Sequence, residues 1–349
     1  MSSKTYPDKH TTTSYEPSRI VPSTAEWIER AAKDLLQGVI AAFPTETVYG
    51  LAGLVTSEEA IASIFALKGR PSSNPLIVHL ASTRHIEDVA ALNTPLLRRR
   101  VELLYPLIPG PLSLILPAID GRTSPAVRAG GNTVAIRIPR HPVAQALLKQ
   151  VGRPLAAPSA NRSTRVSPTR ASHVLGEFPS AGLLILDGGP CEIGLESTVL
   201  DLTTPRPTIL RPGFITKEAL EEALGEPVSE PPGAQAQTST AGIAKSPGLS
   251  TIHYAPQTPL YLRHQWYELG QKPHNIGWIS FHPSEPVPQM AKETRVLSKR
   301  GDLDEAAAQL YEVLRELDEC RLDAIIVGDI PEHGVGIAIF DRLRRASRR

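Results

Sequence analysis

Cysteine is almost missing from this sequence: Cys191 and Cys320 are the only two among 349 residues. They lie far apart and form no C-x-x-C pair, which excludes a disulfide-stapled scaffold and a thiolate zinc site. Net charge is nearly missing too. Lys and Arg number 37 against 36 Asp and Glu, a formal charge of +1, so no global field draws the chain to nucleic acid or to a membrane surface. No apolar run approaches the roughly 20 residues that span a bilayer. Residues 1–22 lack the apolar core of a signal peptide, so the expected location is cytoplasmic. The phosphate loop G-x-x-x-x-G-K-[ST], the nucleophile elbow G-x-S-x-G and the zinc helix H-E-x-x-H are all absent. The ten histidines show no metal-ligand spacing.

The pattern that is present is α/β. Residues 1–22 are polar and rich in Ser, Thr and Pro, and read as a disordered tail. Ser23-Thr24-Ala25-Glu26 has the form of a capping box opening a helix that stops at Gly38. Strands are expected at Val39–Phe43, Leu76–Leu80, Val134–Ile138, Leu155–Ala157, Leu183–Leu186, Thr198–Leu202 and Ile209–Leu210. Helices are expected at Ser57–Leu67, His141–Val151 and Thr216–Leu224, with another opened by Ser167-Pro168. Residues 226–257 read as a linker, because 226–250 lack aromatics and are rich in Pro, Gly, Ala, Ser and Thr. Within it, Ser246-Pro247-Gly248 and His253-Tyr254-Ala255-Pro256 are too specific for a spacer. Residues 258–349 then read as a small doubly wound α/β unit, with a helix capped by Asp302 and a buried strand at Ala324–Val327. The body, residues 23–225, is a larger mixed α/β domain.

Polar residues gather at the strand ends, where α/β sheets bind ligands. They are Pro44-Thr45-Glu46-Thr47-Val48-Tyr49-Gly50, Lys68-Gly69-Arg70-Pro71, Asn74, His79, Arg137, Pro158-Ser159-Ala160-Asn161, Glu196-Ser197-Thr198 and Arg211-Pro212-Gly213. Singly, several have structural readings. Lys68 and Arg70 suit the negative end of a helix dipole. His79 at a strand end is an ordinary structural histidine, and Asp187-Gly188-Gly189 is a turn. Arg98-Arg99-Arg100 is a solvated helix face. Arg137 is different: a guanidinium inside an apolar strand needs a partner. Together, guanidinium forks, an ammonium and hydroxyls suit phosphates plus a carboxylate. With no Ser-His or Cys-His arrangement, chemistry by positioning and charge stabilisation is indicated.

These blocks, in this order, resemble the YrdC-like threonylcarbamoyl-AMP synthase family. Phe43–Leu51, Lys68-x-Arg70-Pro71 with Asn74-Pro75-Leu76, Pro109–Leu112, Arg137-Ile138-Pro139, Ala157–Asn161, Glu196-Ser197-Thr198 and Arg211-Pro212-Gly213 carry the match. His253–Pro256 and Gly334–Ile339 resemble the form with a linker and a C-terminal domain. The resemblance implies a twisted mixed-sheet YrdC-like domain and a smaller Rossmann-like one. It implies a reaction: L-threonine, bicarbonate and ATP, with Mg²⁺, give L-threonylcarbamoyl-adenylate and pyrophosphate. Partner proteins then transfer the group to tRNA beside the anticodon. By family correspondence, Thr47, His79, Arg137, Ala157 and Ser197 bind threonine. Arg70, Asn74, Thr133, Ser159, Ser167 and Arg211 bind ATP, and Lys68 and Arg70 act on the phosphates. Thr251 stands where the family's linker has a Tyr near the nucleotide. Two rival readings remain. One is a double-stranded RNA binder using Arg162, Arg165 and Arg170, or the basic end Arg342–Arg349, which also reads as a solvated helix C-terminus. The other is carbamoyl-adenylate formation for hydrogenase maturation, whose enzymes carry the C-x-x-C pairs this chain lacks.

Overall fold

The computed structural model describes residues 16–230 and 254–347. The motif Ser246-Pro247-Gly248, Thr251, His253 and most of the expected tail and linker lie outside the described residues. Ten strands form the larger sheet: β1 (Arg19–Pro22), β2 (Ala41–Phe43), β3 (Gly50–Leu54), β4 (Ile77–His79), β5 (Leu112–Pro117), β6 (Thr133–Arg137), β7 (Leu155–Ala156), β8 (Leu184–Asp187), β9 (Thr198–Asp201) and β10 (Thr208–Arg211). Their spatial order is β1-β8-β2-β3-β7-β4-β6-β5-β9-β10, with parallel and antiparallel neighbours mixed.

Successive side chains of a strand point to opposite faces, and the short apolar strands use both. Ala41 and Phe43 of β2 join a core with Leu35, Leu147 and Leu148, whereas Ala42 joins the opposite core with Ile61, Ile64 and Val101. The first core is covered by α1 (Ala25–Leu36) and α4 (Pro142–Val151). The second is covered by α2 (Glu58–Lys68), α3 (Pro95–Leu103), α5 (Ala171–Glu177) and α6 (Lys217–Leu224). Short strands buried on both faces read as apolar runs without alternation.

The second sheet is all parallel: β11 (Leu260–Leu262), β12 (Ile276–Ser280), β13 (Ala291–Val296) and β14 (Ala324–Val327), in the order β11-β14-β12-β13. With α7 (Arg263–Glu268), α8 (Leu303–Glu319) and α9 (Gly336–Ala346) it makes the expected small α/β unit. Asp302 caps α8 as expected, accepting from the amides of Asp304 and Glu305. The two units share one apolar core, in which Val48, Val166 and Leu195 meet Leu310, Leu314 and Ile339. Gly194 sits against the α8 backbone, where a Cβ would fall 2.7 Å from Ala307 O. No helix among the described residues is long and apolar enough to cross a membrane.

Several expectations need correction. Arg19–Pro22, read as tail, pairs in parallel with β8. Ser23-Thr24-Ala25-Glu26 forms no capping box: Thr24 caps α1 without a side-chain bond, and Ser23 donates to Asp187 O. Ser167-Pro168 opens no helix, since α5 starts at Ala171. Strands β3, β5 and β13 were missed. Arg98-Arg99-Arg100 is not uniformly solvated. Arg98 and Arg99 are exposed, but Arg100 is buried, with Nε and Nη2 each 2.7 Å from a Glu226 carboxylate oxygen.

That asymmetry is testable. Arg100→Ala strips a buried fork from a carboxylate that is one-third exposed, so urea denaturation should show a loss of about 1–3 kcal/mol. Arg99→Ala should leave the midpoint unchanged. Equal effects would mean that Arg100 does not fasten α3 to the segment after α6.

Candidate active site

The loop leaving β2 is shaped by one hydroxyl. Thr45 Oγ1 donates to Val48 O (2.7 Å) and accepts from the amides of Thr47 and Val48 (3.2 Å each). That local turn, started by Pro44, is the usual use of Thr against its own backbone. Having donated its proton to Val48, Thr45 must accept from the Thr47 hydroxyl 2.8 Å away. Thr47 Oγ1 in turn accepts from Arg137 Nη1 at 2.7 Å. Tyr49, buried next in the loop, donates to Gly189 O (2.8 Å) and accepts from Gly188 N (3.2 Å). The Asp187-Gly188-Gly189 turn is therefore what anchors the loop's far end.

Arg137 ends β6, with His79 of β4 and Ser113 of β5 as its register neighbours. Its partner comes from the Pro44–Gly50 strand-end block, at a position to which no role of its own was given. Glu46 Oε1 lies 2.8 Å from Arg137 Nη2, an ion pair rather than a linear hydrogen bond, and both side chains are buried. Arg140 N also donates to Glu46 (3.1 Å). Burial raises the Glu46 pKa, but the adjacent Arg137 charge, with the Arg140 amide, outweighs it and the net shift is downward. Glu46 is the counter-ion that a buried Arg137 required. His79 donates Nδ1–H to Ile77 O (3.2 Å) and packs edge-on against Phe43. Burial, reinforced by Arg137, lowers its pKa to about 3, so it is neutral near pH 7.

Two further arginines, Arg70 and Arg211, belong to the site. Arg70 follows the left-handed Gly69 that ends α2. It donates to Asn74 O (3.0 Å), Asn74 Oδ1 (2.7 Å) and Pro75 O (2.7 Å). Arg211 grips Ser197 O with Nε and Nη2 (3.1 and 2.9 Å) and reaches Ser197 Oγ at 3.2 Å. Burial depresses both pKa values, Arg70 to about 10, and Arg211 adds to the shift of Arg70.

One cleft is lined by Thr47, His79, Arg137, Ala157 and Ser197 together with Arg70, Ser159 and Arg211. All five expected threonine residues and three of the expected nucleotide residues thus converge. Glu196 and Tyr254 line it as well. Three guanidiniums face one carboxylate there, an excess of positive charge in a low-dielectric wall that suits anions.

Other expected residues stand elsewhere. Lys68 is buried behind the cleft, its ammonium donating to the carbonyls of Ser159 and Asn161. Burial, then the charge of Arg70, pushes its pKa well down. It holds the Ser159–Asn161 loop and does not line the cleft. Asn74 holds Arg70 from behind. Thr133 begins β6 and Arg137 ends it, a separation of roughly 13 Å at the usual rise per residue. Ser167 is buried and donates to Glu196 Oε1 at 2.6 Å. The carbonyl of Pro168 accepts from Tyr49 N, so these two residues serve the cleft loop and not a helix start.

Glu196 gathers the second unit onto the site. Its Oε2 accepts from Tyr311 Oη of α8 (2.9 Å) and Arg342 Nε of α9 (2.8 Å). Arg342 also lies over the Tyr254 ring, 5.0 Å from its centroid, and that ring stacks on Tyr311. The expectation of a solvated or RNA-binding basic end fails for Arg342 and Arg345, both buried; Arg345 pairs with Asp341. Of the other arginines considered for RNA, Arg170 is paired with Glu312 at 2.7 Å and Arg162 lies over the Phe178 ring.

Residues 33–213 match a family model described as "Telomere recombination", the Sua5, YciO and YrdC group. Residues 215–348 match one described as "Threonylcarbamoyl-AMP synthase, C-terminal domain". The threonylcarbamoyl-AMP synthase of Bacillus subtilis (strain 168) is 41% identical over 328 residues, 92% of each chain. That of Pyrococcus abyssi (strain GE5 / Orsay) is 38% identical over 340 residues, covering 92% of this chain and 94% of the relative. The crystal structure of P. abyssi Sua5 complexed with L-threonine superposes with a TM-score of 0.83 at 35% identity, over 95% of this chain and 97% of that one. Two family models that tile the chain from residue 33 to residue 348, and relatives matched over nearly their whole length, show that the chain belongs to the threonylcarbamoyl-AMP synthase family in its two-domain form.

Proposed function

We propose that this protein converts L-threonine, bicarbonate and ATP to L-threonylcarbamoyl-adenylate and pyrophosphate. The observation that carries the reading is the meeting of Thr47, His79, Arg137, Ala157 and Ser197 with Arg70, Ser159 and Arg211 in one cleft. Arg137 takes the threonine carboxylate, its guanidinium fixed by Glu46 and Thr47. The unprotonated threonine amine attacks bicarbonate, with loss of one water, or the CO₂ derived from it, with release of one N–H proton to solvent, and gives a carbamate. A carbamate oxygen then attacks the α-phosphorus, the bond to the β-phosphate oxygen breaks, and pyrophosphate leaves with the electron pair. Arg70 and Arg211 spread the charge that gathers on the phosphates. Lys68 keeps the Ser159 loop in place.

Glu46 is paired with Arg137, and Glu196 with Ser167, Tyr311 and Arg342. No cluster of three or more His, Cys, Asp or Glu among the described residues could hold a metal. Mg²⁺ would enter with the substrate as MgATP, where it offsets phosphate charge. In a cytoplasmic setting the adenylate passes to proteins that transfer its threonylcarbamoyl group to the adenosine beside the anticodon in tRNAs reading codons that begin with A. A noncatalytic double-stranded RNA binder is the alternative, and a turnover assay without RNA separates the two.

With ATP, Mg²⁺ and bicarbonate, pyrophosphate release should require threonine and no RNA. Release indifferent to the amino acid would refute the reading. Arg137→Ala should raise the threonine KM by about 10- to 100-fold, the worth of a charge-assisted hydrogen-bonded contact, and leave the ATP KM nearly unchanged. Parallel rises in both KM values would exclude Arg137 as the carboxylate partner.

A further inference from the structure

One guanidinium from the C-terminal unit touches three separate segments of the cleft wall. Arg342 Nε bonds Glu196, which precedes Ser197. Its Nη2 donates to Pro212 O at 3.0 Å, next to Arg211. Its plane covers Tyr254. The remaining nitrogen, Nη1, is 2.9 Å from Asp341 Oδ2. Arg342 is 1% exposed, and a buried fork with this many partners has almost no freedom to reorient. We propose that Arg342 is a positioning residue of the adenylating cleft: it holds Glu196 away from Arg211, so that Arg211 stays directed at the nucleotide phosphates.

The competition between the two arginines for Glu196 is the core of the case. Arg211 lines the same cleft as Glu196 and bonds the next residue, Ser197, while Arg342 bonds Glu196 itself and the carbonyl of Pro212 beside Arg211. Glu196 is buried and needs a cation. While Arg342 supplies it, with Tyr311 and Ser167 completing the shell, Arg211 remains bound to Ser197. Without Arg342, the nearest compensation for Glu196 is Arg211, and the phosphates lose that cation. Threonine keeps Arg137 and Thr47, which bond each other and Glu46 rather than Glu196, and is affected less, through Ser197 alone. The C-terminal unit thereby sets nucleotide affinity without itself contributing a phosphate ligand.

The inference rests on the cleft being the nucleotide site, so the test uses threonine-dependent pyrophosphate release by the full chain. A wild-type chain that releases none refutes the proposed function itself. With wild type active, Arg342→Gln should raise the ATP KM about tenfold or more while the threonine KM changes less than about twofold. Arg342→Lys keeps the charge and loses the fork, and should recover part of the ATP KM. Tyr311→Phe, which removes one donor to Glu196, should move it in the same direction by less. Arg345→Gln breaks a buried pair with Asp341 on the same helix and should lower Tm with both KM values unchanged. If Arg342→Gln does not fold, Arg342→Lys decides alone. Unchanged ATP KM in folded Arg342 variants, or equal rises in both KM values shared with Arg345→Gln, would overturn the proposal.

Discussion

A buried guanidinium must be paired, and that constraint organises this molecule. Arg137 is fixed by Glu46 and Thr47, Arg70 by Asn74 and Pro75, and Arg211 by Ser197. Each is held by these partners while lining the same cleft. The cations are thus oriented before any anion arrives, in surroundings where their field is stronger than in water. Net charge over the whole chain is close to zero, so the positive character is local to the cleft.

The two units act as one body around this site. Their shared apolar core places α8 and α9 against the loops that bear Glu196 and Val48, and Gly194 lets the α8 backbone come within reach. A side chain at that glycine would push the second sheet away and withdraw Tyr311 and Arg342 from Glu196. The parallel C-terminal sheet is thereby a platform for cleft geometry as well as a separate fold.

Much of this was legible in the sequence. Apolar runs located β2, β4, β6 and β14 to within two residues at each end, and Arg137 announced itself as a cation in an apolar strand. The family resemblance, carried by motifs in sequence order, collected eight of the cleft residues. The missed ion pairs share a cause: the direction of a charged side chain is decided by partners distant in sequence. Arg342 and Glu196 are 146 residues apart, and Arg100 and Glu226 are 126 apart. Helical spacing held part of the signal. Ala338, Arg342 and Ala346 recur every four residues on the buried face of α9, and Arg100 follows the buried Leu97 by three. Lys68 misled for the opposite reason. A cation at a helix end reads as solvated or ligand-facing, yet two backbone carbonyls claim it here. Residues Arg19–Pro22, between Ser18 and Ser23 and ending in a proline, were too few to register as a strand.

The most direct measurement is a crystal structure of the full chain with L-threonine and a non-hydrolysable MgATP analogue. The threonine carboxylate should lie on Arg137 beside Thr47, and the phosphates should lie between Arg70 and Arg211, with the α-phosphorus nearest the threonine amine. Phosphates bound elsewhere, or a threonine carboxylate with no contact to Arg137, would contradict the assignment of this cleft as the place where the adenylate forms.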